Sequence, residues 1–166
     1  MELTITSASA LWFLPFVAVI SIWVAWSDMK FMKIPNSAVM AMLGVFLVVG
    51  LIALPLNEYP WRLLQLVVVL VIGFVMSSLR LVGAGDAKFA AVMAPFIALG
   101  DATLVAYLLA AVILAAFVTH RSLKRVKAFR ELTPNWESWE RKDFPMGLAL
   151  GGTIIIYLVL GTIYGL

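Results

Sequence analysis

The sequence predicts an all-α, polytopic membrane protein with six transmembrane helices. Hydrophobic residues make up 64% of the 166 residues, and charged residues make up only 13%. The mean hydropathy of +1.06 is too apolar for a soluble domain of this size. Apolar runs of about 18 residues or more are typical of membrane-spanning helices. The predicted helices lie at about 8–26, 37–54, 61–80, 87–99, 102–118 and 145–163.

A short polar loop separates the first two predicted helices. Helix one carries Trp23 and Trp26 at the depth of the membrane interface and brings Asp28 to the membrane surface. Pro35 lacks an N–H and disfavours helical dihedrals at the residue before it, so the segment from Asp28 to Asn36 is expected not to continue the first helix. Pro35 itself suits the start of helix two. No basic residue precedes Lys30, so the first helix is expected to be permanent rather than a cleaved signal peptide.

The fourth predicted helix is short and contains Pro95. We therefore expect a broken or re-entrant segment, which is tolerated only where protein or water covers the freed backbone groups. Gly100 and Asp101 then form a turn, and the Asp101 side chain is expected to cap the fifth helix.

Basic residues predict the orientation of the chain, because short cytoplasmic loops carry the excess of Lys and Arg. In the six-helix arrangement, all twelve basic residues except Arg62 fall on one side. That side is expected to face the cytoplasm, with both termini on the non-cytoplasmic side of a cell inner (plasma) membrane. The same asymmetry explains the net charge of +3 without nucleic-acid binding.

The connection at about 120–144 is the one soluble-looking part of a single membrane-embedded domain that comprises residues 1–166. Leu123, Val126 and Phe129 fall close to one helical face, which favours an interfacial helix on anionic lipid headgroups. The alternative is a lid or docking surface for a substrate.

Two aspartates follow helices that cross the membrane in the same direction. Asp28 begins an Asp-x-Lys sequence after helix one, and Asp86 begins another after helix three. Both are therefore expected at the cytoplasmic face. Gly83 and Gly85 leave open space beside Asp86 and allow backbone dihedrals that other residues avoid. Ionisable residues at membrane depth are rarely kept without a partner or a task.

Each aspartate also has a purely structural interpretation. Asp28 would pair with Lys30 or Lys33 at the membrane surface. Asp86 would cap the following helix by accepting hydrogen bonds from backbone N–H groups.

A pair of facing carboxylates supports acid–base chemistry. Two carboxylates within a few ångströms cannot both ionise comfortably, so one pKa rises and the pair holds one proton near neutral pH. The ionised member then draws a proton from water, while the protonated member hydrogen-bonds a scissile carbonyl. With no cysteine and one histidine in the chain, we expect neither a metal site nor a cofactor.

Three motifs resemble those of the type IV prepilin peptidases, membrane aspartic proteases named for a Gly-x-Gly-Asp sequence. The motifs are Asp28 followed by Ile34-Pro35-Asn36, then Gly83-Ala84-Gly85-Asp86-Ala87-Lys88, and finally Phe144-Pro145-Met146-Gly147-Leu148-Ala149-Leu150-Gly151. The resemblance implies that Asp28 and Asp86 are the catalytic pair. It also implies five residues that shape the two loops, namely Pro35, Asn36, Gly83, Gly85 and Lys88.

The resemblance implies a prepilin-like substrate with a short basic leader, cut just before a hydrophobic helix that stays in the membrane. Larger members of the family carry an amino-terminal cytoplasmic region, often with paired Cys-x-x-Cys motifs, that is associated with N-methylation. This chain has no cysteine and no room for that region. It is similar to the short forms of tight-adherence (Flp) pilus systems or to archaeal preflagellin peptidases, so proteolysis without methyl transfer is expected.

Two other interpretations stay open from the sequence. A small transporter or assembly factor would use Asp28 and Asp86 to bind a cation or relay protons, although transport sites generally lie near the membrane midplane. A presenilin-like protease shares Gly-x-Gly-Asp, but its first acid is expected in a Tyr-Asp pair, whereas Asp28 follows Ser27. The sequence does not predict the oligomeric state.

Overall fold

The computed structural model describes residues 2–166, which form a helical bundle. In chain order, the α-helices are α1 (Ser7–Phe31), α2 (Asn36–Ala53), α3 (Tyr59–Ser78), α4 (Ala84–Met93), α5 (Ala102–Leu123), α6 (Lys127–Leu132) and α7 (Met146–Tyr164). Three short 3-10 turns lie at Ala94–Phe96, Leu99–Asp101 and Glu137–Trp139. Within residues 2–166, extended pairing is limited to an isolated bridge between Leu3 and Gly165.

Five of these helices are long and apolar enough to cross a membrane, namely α1, α2, α3, α7 and the helix formed by residues 99–123. The all-helical, multi-pass prediction is therefore confirmed. The count of six is not confirmed, because the segment predicted at 87–99 is divided between the ten-residue α4, which ends at Met93, and the 3-10 turn at Ala94–Phe96. Pro95 explains the break, since proline lacks an N–H and its ring clashes with the preceding helical turn.

The broken segment nevertheless reaches from one end of the bundle to the other, and protein covers its freed backbone. The N–H of Ala98 donates to the Tyr157 hydroxyl at 3.0 Å. The Phe96 ring packs edge-on against Phe13 and Phe46, with centroids 4.9 and 5.4 Å away. These contacts confirm the expectation of a broken segment whose polar groups find partners inside the protein.

Helices α1 and α7 form the centre of the bundle, and glycines on α7 allow their close approach. A Cβ atom at Gly151 would lie 2.8 Å from the Ser21 carbonyl oxygen, and one at Gly161 would lie 2.9 Å from Ala10 Cβ. Such small-residue contacts are typical of membrane helix packing. This packing fixes the first turn of α7 beside the last turn of α1.

Asp101 does not cap the fifth helix, so that prediction is wrong. Its carboxylate accepts hydrogen bonds from the N–H groups of Thr4 and Ile5, at 2.8 and 3.0 Å. It also accepts one from the Tyr157 hydroxyl at 2.8 Å. The residue instead ties the chain before α1 to α7 and to the turn before α5.

The connection at 120–144 is not one interfacial helix. Helix α5 continues to Leu123, and α6 begins only after Val126, so the predicted apolar face is divided between two elements. His120 is buried and stacks on Trp139, with ring centroids 4.9 Å apart. Phe129 packs edge-on against the same indole at 5.9 Å. An aromatic cluster therefore organises this connection.

Candidate active site

Asp28 lies in the last turn of α1, because the helix continues to Phe31 instead of ending before the aspartate. Met32 terminates the helix in the left-handed conformation, with φ of 50°, and its N–H donates to the Asp28 carbonyl at 2.9 Å. The Asp28 residue is only 5% exposed. The predicted end of the first helix at about Trp26 is thus corrected, because Asp28 lies within the helix and is buried by protein.

The first loop, residues 32–35, connects α1 to α2. The Ser27 hydroxyl donates to the Lys33 carbonyl at 2.9 Å and so holds this loop against the end of α1. Pro35 then precedes α2, which begins at Asn36. The predicted place of Pro35 at the start of the second helix is confirmed.

Gly147 in the first turn of α7 holds the Asp28 side chain. Its backbone N–H donates to Asp28 Oδ2 at 2.6 Å. The first N–H groups of a helix have no partner within the helix, and the helix dipole favours negative charge there. A hydrogen bond of this kind stabilises an ionised carboxylate. The sequence motif contained Gly147, but sequence reasoning gave it no contact with the acid; its place two residues after Pro145 is the available signal.

The surface ion pair expected from the structural interpretation of Asp28 is absent among residues 2–166. Asp28 makes no contact with a basic side chain within salt-bridge distance there. The Lys30 ammonium instead lies over the Trp26 ring, 4.9 Å from its centroid. A buried carboxylate with a single backbone donor remains available for chemistry.

Asp86 lies in the first turn of α4, and Gly83 makes room for its carboxylate. A Cβ atom at position 83 would lie 2.6 Å from Asp86 Oδ2, so any other residue there would displace the carboxylate. Gly85 packs the second loop, residues 79–83, and the start of α4 against the first loop, because a Cβ there would meet Ile34 Cβ at 3.4 Å. In the part of the chain described, the Asp86 carboxylate accepts no backbone hydrogen bond, so it does not cap α4.

The electrostatic surroundings of Asp86 disfavour its ionised form. Burial raises the pKa of Asp86 to about 6, and the charge of Asp28 adds to the increase. The two carboxylates thus affect each other, although they come from helices that are far apart in sequence.

A polar contact links the elements that carry the two loops. The Lys88 ammonium donates to Asn36 Oδ1 at 3.3 Å. Lys88 lies on α4, two residues after Asp86, and Asn36 is the first residue of α2. This contact joins the second aspartate to the end of the first loop.

A cavity of about 950 Å³ contains both aspartates. The five residues predicted to shape the site line the same cavity, namely Pro35, Asn36, Gly83, Gly85 and Lys88. The structure therefore brings all seven predicted residues together. Sequence reasoning did not predict that Glu137, Arg141 and Asp143 of the 120–144 connection would also line it. Their placement agrees with the lid or docking interpretation of this connection, and a polar loop carries no pattern that would have predicted it.

Comparison with known proteins identifies a family for this chain. The model of the type IV leader peptidase family matches residues 15–119, which is more than half of the chain and includes both aspartates. No curated protein and no solved structure matched the chain. The extent of the family match shows that this chain belongs to the type IV leader peptidase family.

Proposed function

We propose that this peptidase is an aspartic-type endopeptidase that removes the leader from prepilin-like proteins. The observation that carries the proposal is the meeting of Asp28 and Asp86 at one cavity, with the pKa of Asp86 raised to about 6. Paired carboxylates that share a proton activate water without a covalent intermediate. The family membership supplies the general substrate class.

The surroundings of the two aspartates suggest different roles. Asp28 accepts the N–H of Gly147, a hydrogen bond that favours the ionised form, so Asp28 is the proposed general base. Asp86 has a pKa raised to about 6 and no backbone donor on its carboxylate among residues 2–166, so it is the proposed general acid. Environments that separate the proton affinities of two acids are a common source of such roles.

In the proposed reaction, a water molecule attacks the scissile carbonyl carbon while Asp28 takes one of its protons. Asp86 gives its proton to the carbonyl oxygen, which produces a neutral tetrahedral diol. The C–N bond then breaks as the diol returns one hydroxyl proton to Asp86 and Asp28 gives its proton to the leaving nitrogen. Each aspartate ends the cycle in its starting protonation state.

The position of the site suits a substrate with a hydrophobic helix. The cavity lies at the end of the bundle where α1 ends, and Trp23, Trp26 and Phe31 line its mouth with exposed apolar surface. A substrate helix can lie in the bilayer beside this surface while its end reaches the aspartates. Resemblance to the short family members makes a precursor of the Flp pilus kind the first substrate to test.

We propose that the aspartates face the cytoplasm of the inner membrane and that both termini lie on the other side. All basic residues except Arg62 lie in or beside the segments at the aspartate end of the bundle. Leu3 and Gly165 meet at the opposite end. In this topology, the segment at about 87–99 forms a sixth, broken crossing, and the 120–144 connection belongs to the same membrane-embedded domain.

The position of Asp28 and Asp86 also argues against a transport function. Both aspartates lie at one end of the bundle, in the last turn of α1 and the first turn of α4. Transport sites generally lie near the midplane.

The proposed chemistry is tested by cleavage of a purified prepilin precursor in detergent by Asp28→Asn and Asp86→Asn. Each variant is expected to lose about 100-fold or more in kcat, because each removes one acid–base group. Glu131→Gln, an exposed carboxylate-to-amide change on α6, is the matched control and should cleave like wild type. Circular dichroism and gel filtration check folding.

Wild-type activity in a folded Asp28→Asn or Asp86→Asn variant would remove that residue from the mechanism. If folded wild type cleaved none of several precursors, the endopeptidase proposal would fail and cation binding by the two aspartates would become the better hypothesis.

The proposed topology has an independent test, because the chain has no cysteine and any single-Cys variant is labelled at one position only. Glu131→Cys should react with a membrane-impermeant maleimide only after the membrane is permeabilised, so that the reagent reaches the cytoplasmic side. Asn57→Cys should react with the same maleimide in intact spheroplasts. The reverse pattern would invert the topology without affecting the family assignment.

A further inference from the structure

A second cavity, of about 650 Å³, lies at the end of the bundle opposite the aspartates. It is bordered by the first half of α3 and by the turn before α5, and its lining is mainly apolar. Its polar side chains come chiefly from the start of α3, where Glu58 just before the helix and then Arg62 and Gln65 follow one another at the spacing of a single helical face. This cavity is separate from the proposed active site, and the peptidase reaction does not use it.

Arg62 is the unusual residue of this cavity. It is only 6% exposed, and its Nη2 donates to Glu58 Oε2 at 3.2 Å. Its Nη1 is buried without a hydrogen-bond partner among residues 2–166. A guanidinium N–H that is buried without a partner is costly, and such a group calls for a ligand, an ion or a water molecule.

Other polar groups nearby do not satisfy Arg62. The Asp101 carboxylate is occupied by the N–H groups of Thr4 and Ile5 and by the Tyr157 hydroxyl. Gln65 Oε1 is itself buried without a partner in this part of the structure. The cavity therefore combines a guanidinium Nη1 that has no partner among residues 2–166, a buried amide and apolar walls.

The order of groups along α3 matches the order of groups in a phospholipid. Glu58 is half-exposed at the start of the helix, and Arg62 lies about 6 Å further along the axis at 1.5 Å per residue. Gln65 follows, and Val68 and Val69 then line the apolar part. An aminophospholipid carries its ammonium, phosphate, ester and acyl chain in the same sequence from water to hydrocarbon.

We propose that this cavity binds one aminophospholipid of the phosphatidylethanolamine type. The phosphate accepts a hydrogen bond from Arg62 Nη1, and the ammonium donates to Glu58 at the mouth. An acyl chain follows the valines of α3 into the apolar part of the cavity. Glu58 disfavours a headgroup that carries only negative charge, so the site distinguishes a zwitterionic lipid from an anionic one.

The exposed side chains around the cavity agree with access from the bilayer. Trp61, Leu64 and Leu99 are 69%, 48% and 75% exposed, respectively, and all three line the cavity. Tryptophan is favoured at the headgroup level of a membrane. The lipid thus enters sideways from the leaflet without crossing a polar surface of the protein.

Native mass spectrometry of the full-length protein in mild detergent tests the proposal. The added lipids are phosphatidylethanolamine, phosphatidylcholine and phosphatidylglycerol with identical acyl chains. Wild type should bind phosphatidylethanolamine best, because only that headgroup combines a phosphate with N–H donors for Glu58 and lacks net charge. Arg62→Gln should lower its binding about tenfold or more, the equivalent of one charge-assisted hydrogen bond. Arg125→Gln, at an exposed position in the connection, is the matched control.

Glu58→Gln provides a second test of the lipid site, which is needed if Arg62→Gln does not fold. This variant should retain phospholipid binding but lose the preference for phosphatidylethanolamine over phosphatidylcholine. Equal binding of the three lipids by wild type, unchanged binding by folded Arg62→Gln, or an unchanged preference in Glu58→Gln would each overturn the proposal. These results are independent of prepilin cleavage, so the lipid site and the peptidase function succeed or fail separately.

Discussion

The N–H of Gly147 donates to Asp28 Oδ2 at 2.6 Å, although 119 residues separate the two positions. The contact exists because α7 packs along the whole length of α1 through its small residues. It places the first turn of the last helix against the carboxylate that is proposed to activate water. The last helix is thus part of the candidate site and not only of the scaffold, although the family match ends before it begins.

Gly147→Ala is expected to lower kcat strongly while the protein stays folded. The added Cβ would lie 2.9 Å from Asp28 Cβ, so either the carboxylate or α7 must move. Displacement of a catalytic group by about 1 Å costs on the order of 100-fold in rate. Cleavage of a prepilin precursor measures the effect. Gly44→Ala on α2, where an added Cβ would meet nothing within 4 Å, is the control. Normal kcat in Gly147→Ala would refute the positioning role.

The raised pKa of Asp86 predicts the pH dependence of cleavage. Asp86 acts as the acid in the proposal, so kcat/KM should fall as pH increases through about 6. The measurement is a pH profile of precursor cleavage with Glu131→Gln as a control that keeps the same profile. If kcat/KM instead increased with pH through this range, Asp86 would act as the base and Asp28 as the acid, contrary to the proposal.

The same shift predicts how stability depends on pH. The pKa of Asp86 rises from 3.8 to about 6 on folding. Between these values the folded protein binds more protons than the unfolded chain, so stability falls as pH increases through this range. Asp86→Asn removes the titration and should therefore unfold at a higher temperature than wild type near about pH 8, with a smaller difference near about pH 4. A temperature difference that is the same at both pH values would contradict this prediction.

Local sequence patterns predicted the parts of the site that depend on local chemistry. Pro35 predicted the start of α2, Pro95 predicted the break after α4, and the order of the predicted helices placed both aspartates at one end of the bundle. The contacts of Asp101 and Gly147 were not predicted, because they join residues about 100 positions apart. Such contacts depend on how helices pack, and a hydropathy pattern carries no information about that packing. The extension of α1 beyond Asp28 was missed because Pro35 influences only the residue before it.

The contact between Lys88 and Asn36 predicts coupling between α4 and α2. Lys88→Met and Asn36→Leu should each reduce kcat/KM several-fold. The hydrogen bond at 3.3 Å is expected to hold α4 against α2 and so to keep Asp86 beside Asp28. In a double-mutant cycle, the second substitution should cost less than it does alone, with a coupling of about 1 kcal/mol. Additive effects of the two substitutions would show that the contact does not position the aspartates.

Asp101→Ala is expected to destabilise the protein by about 3 kcal/mol, because it leaves several buried donors unpaired. The lost partners are the N–H groups of Thr4 and Ile5 and the hydroxyl of Tyr157, all bonded to one carboxylate that is 4% exposed. Denaturation in mixed detergent measures the change, with Glu131→Ala as the exposed control. Tyr157→Phe should cost less, since Asp101 keeps the N–H groups of Thr4 and Ile5 and only the Ala98 N–H is left without its partner. Cleavage per folded molecule should stay near that of wild type in Asp101→Ala, because residue 101 lies at the end of the bundle opposite Asp28 and Asp86. A loss of kcat without a loss of stability would contradict this structural role of Asp101.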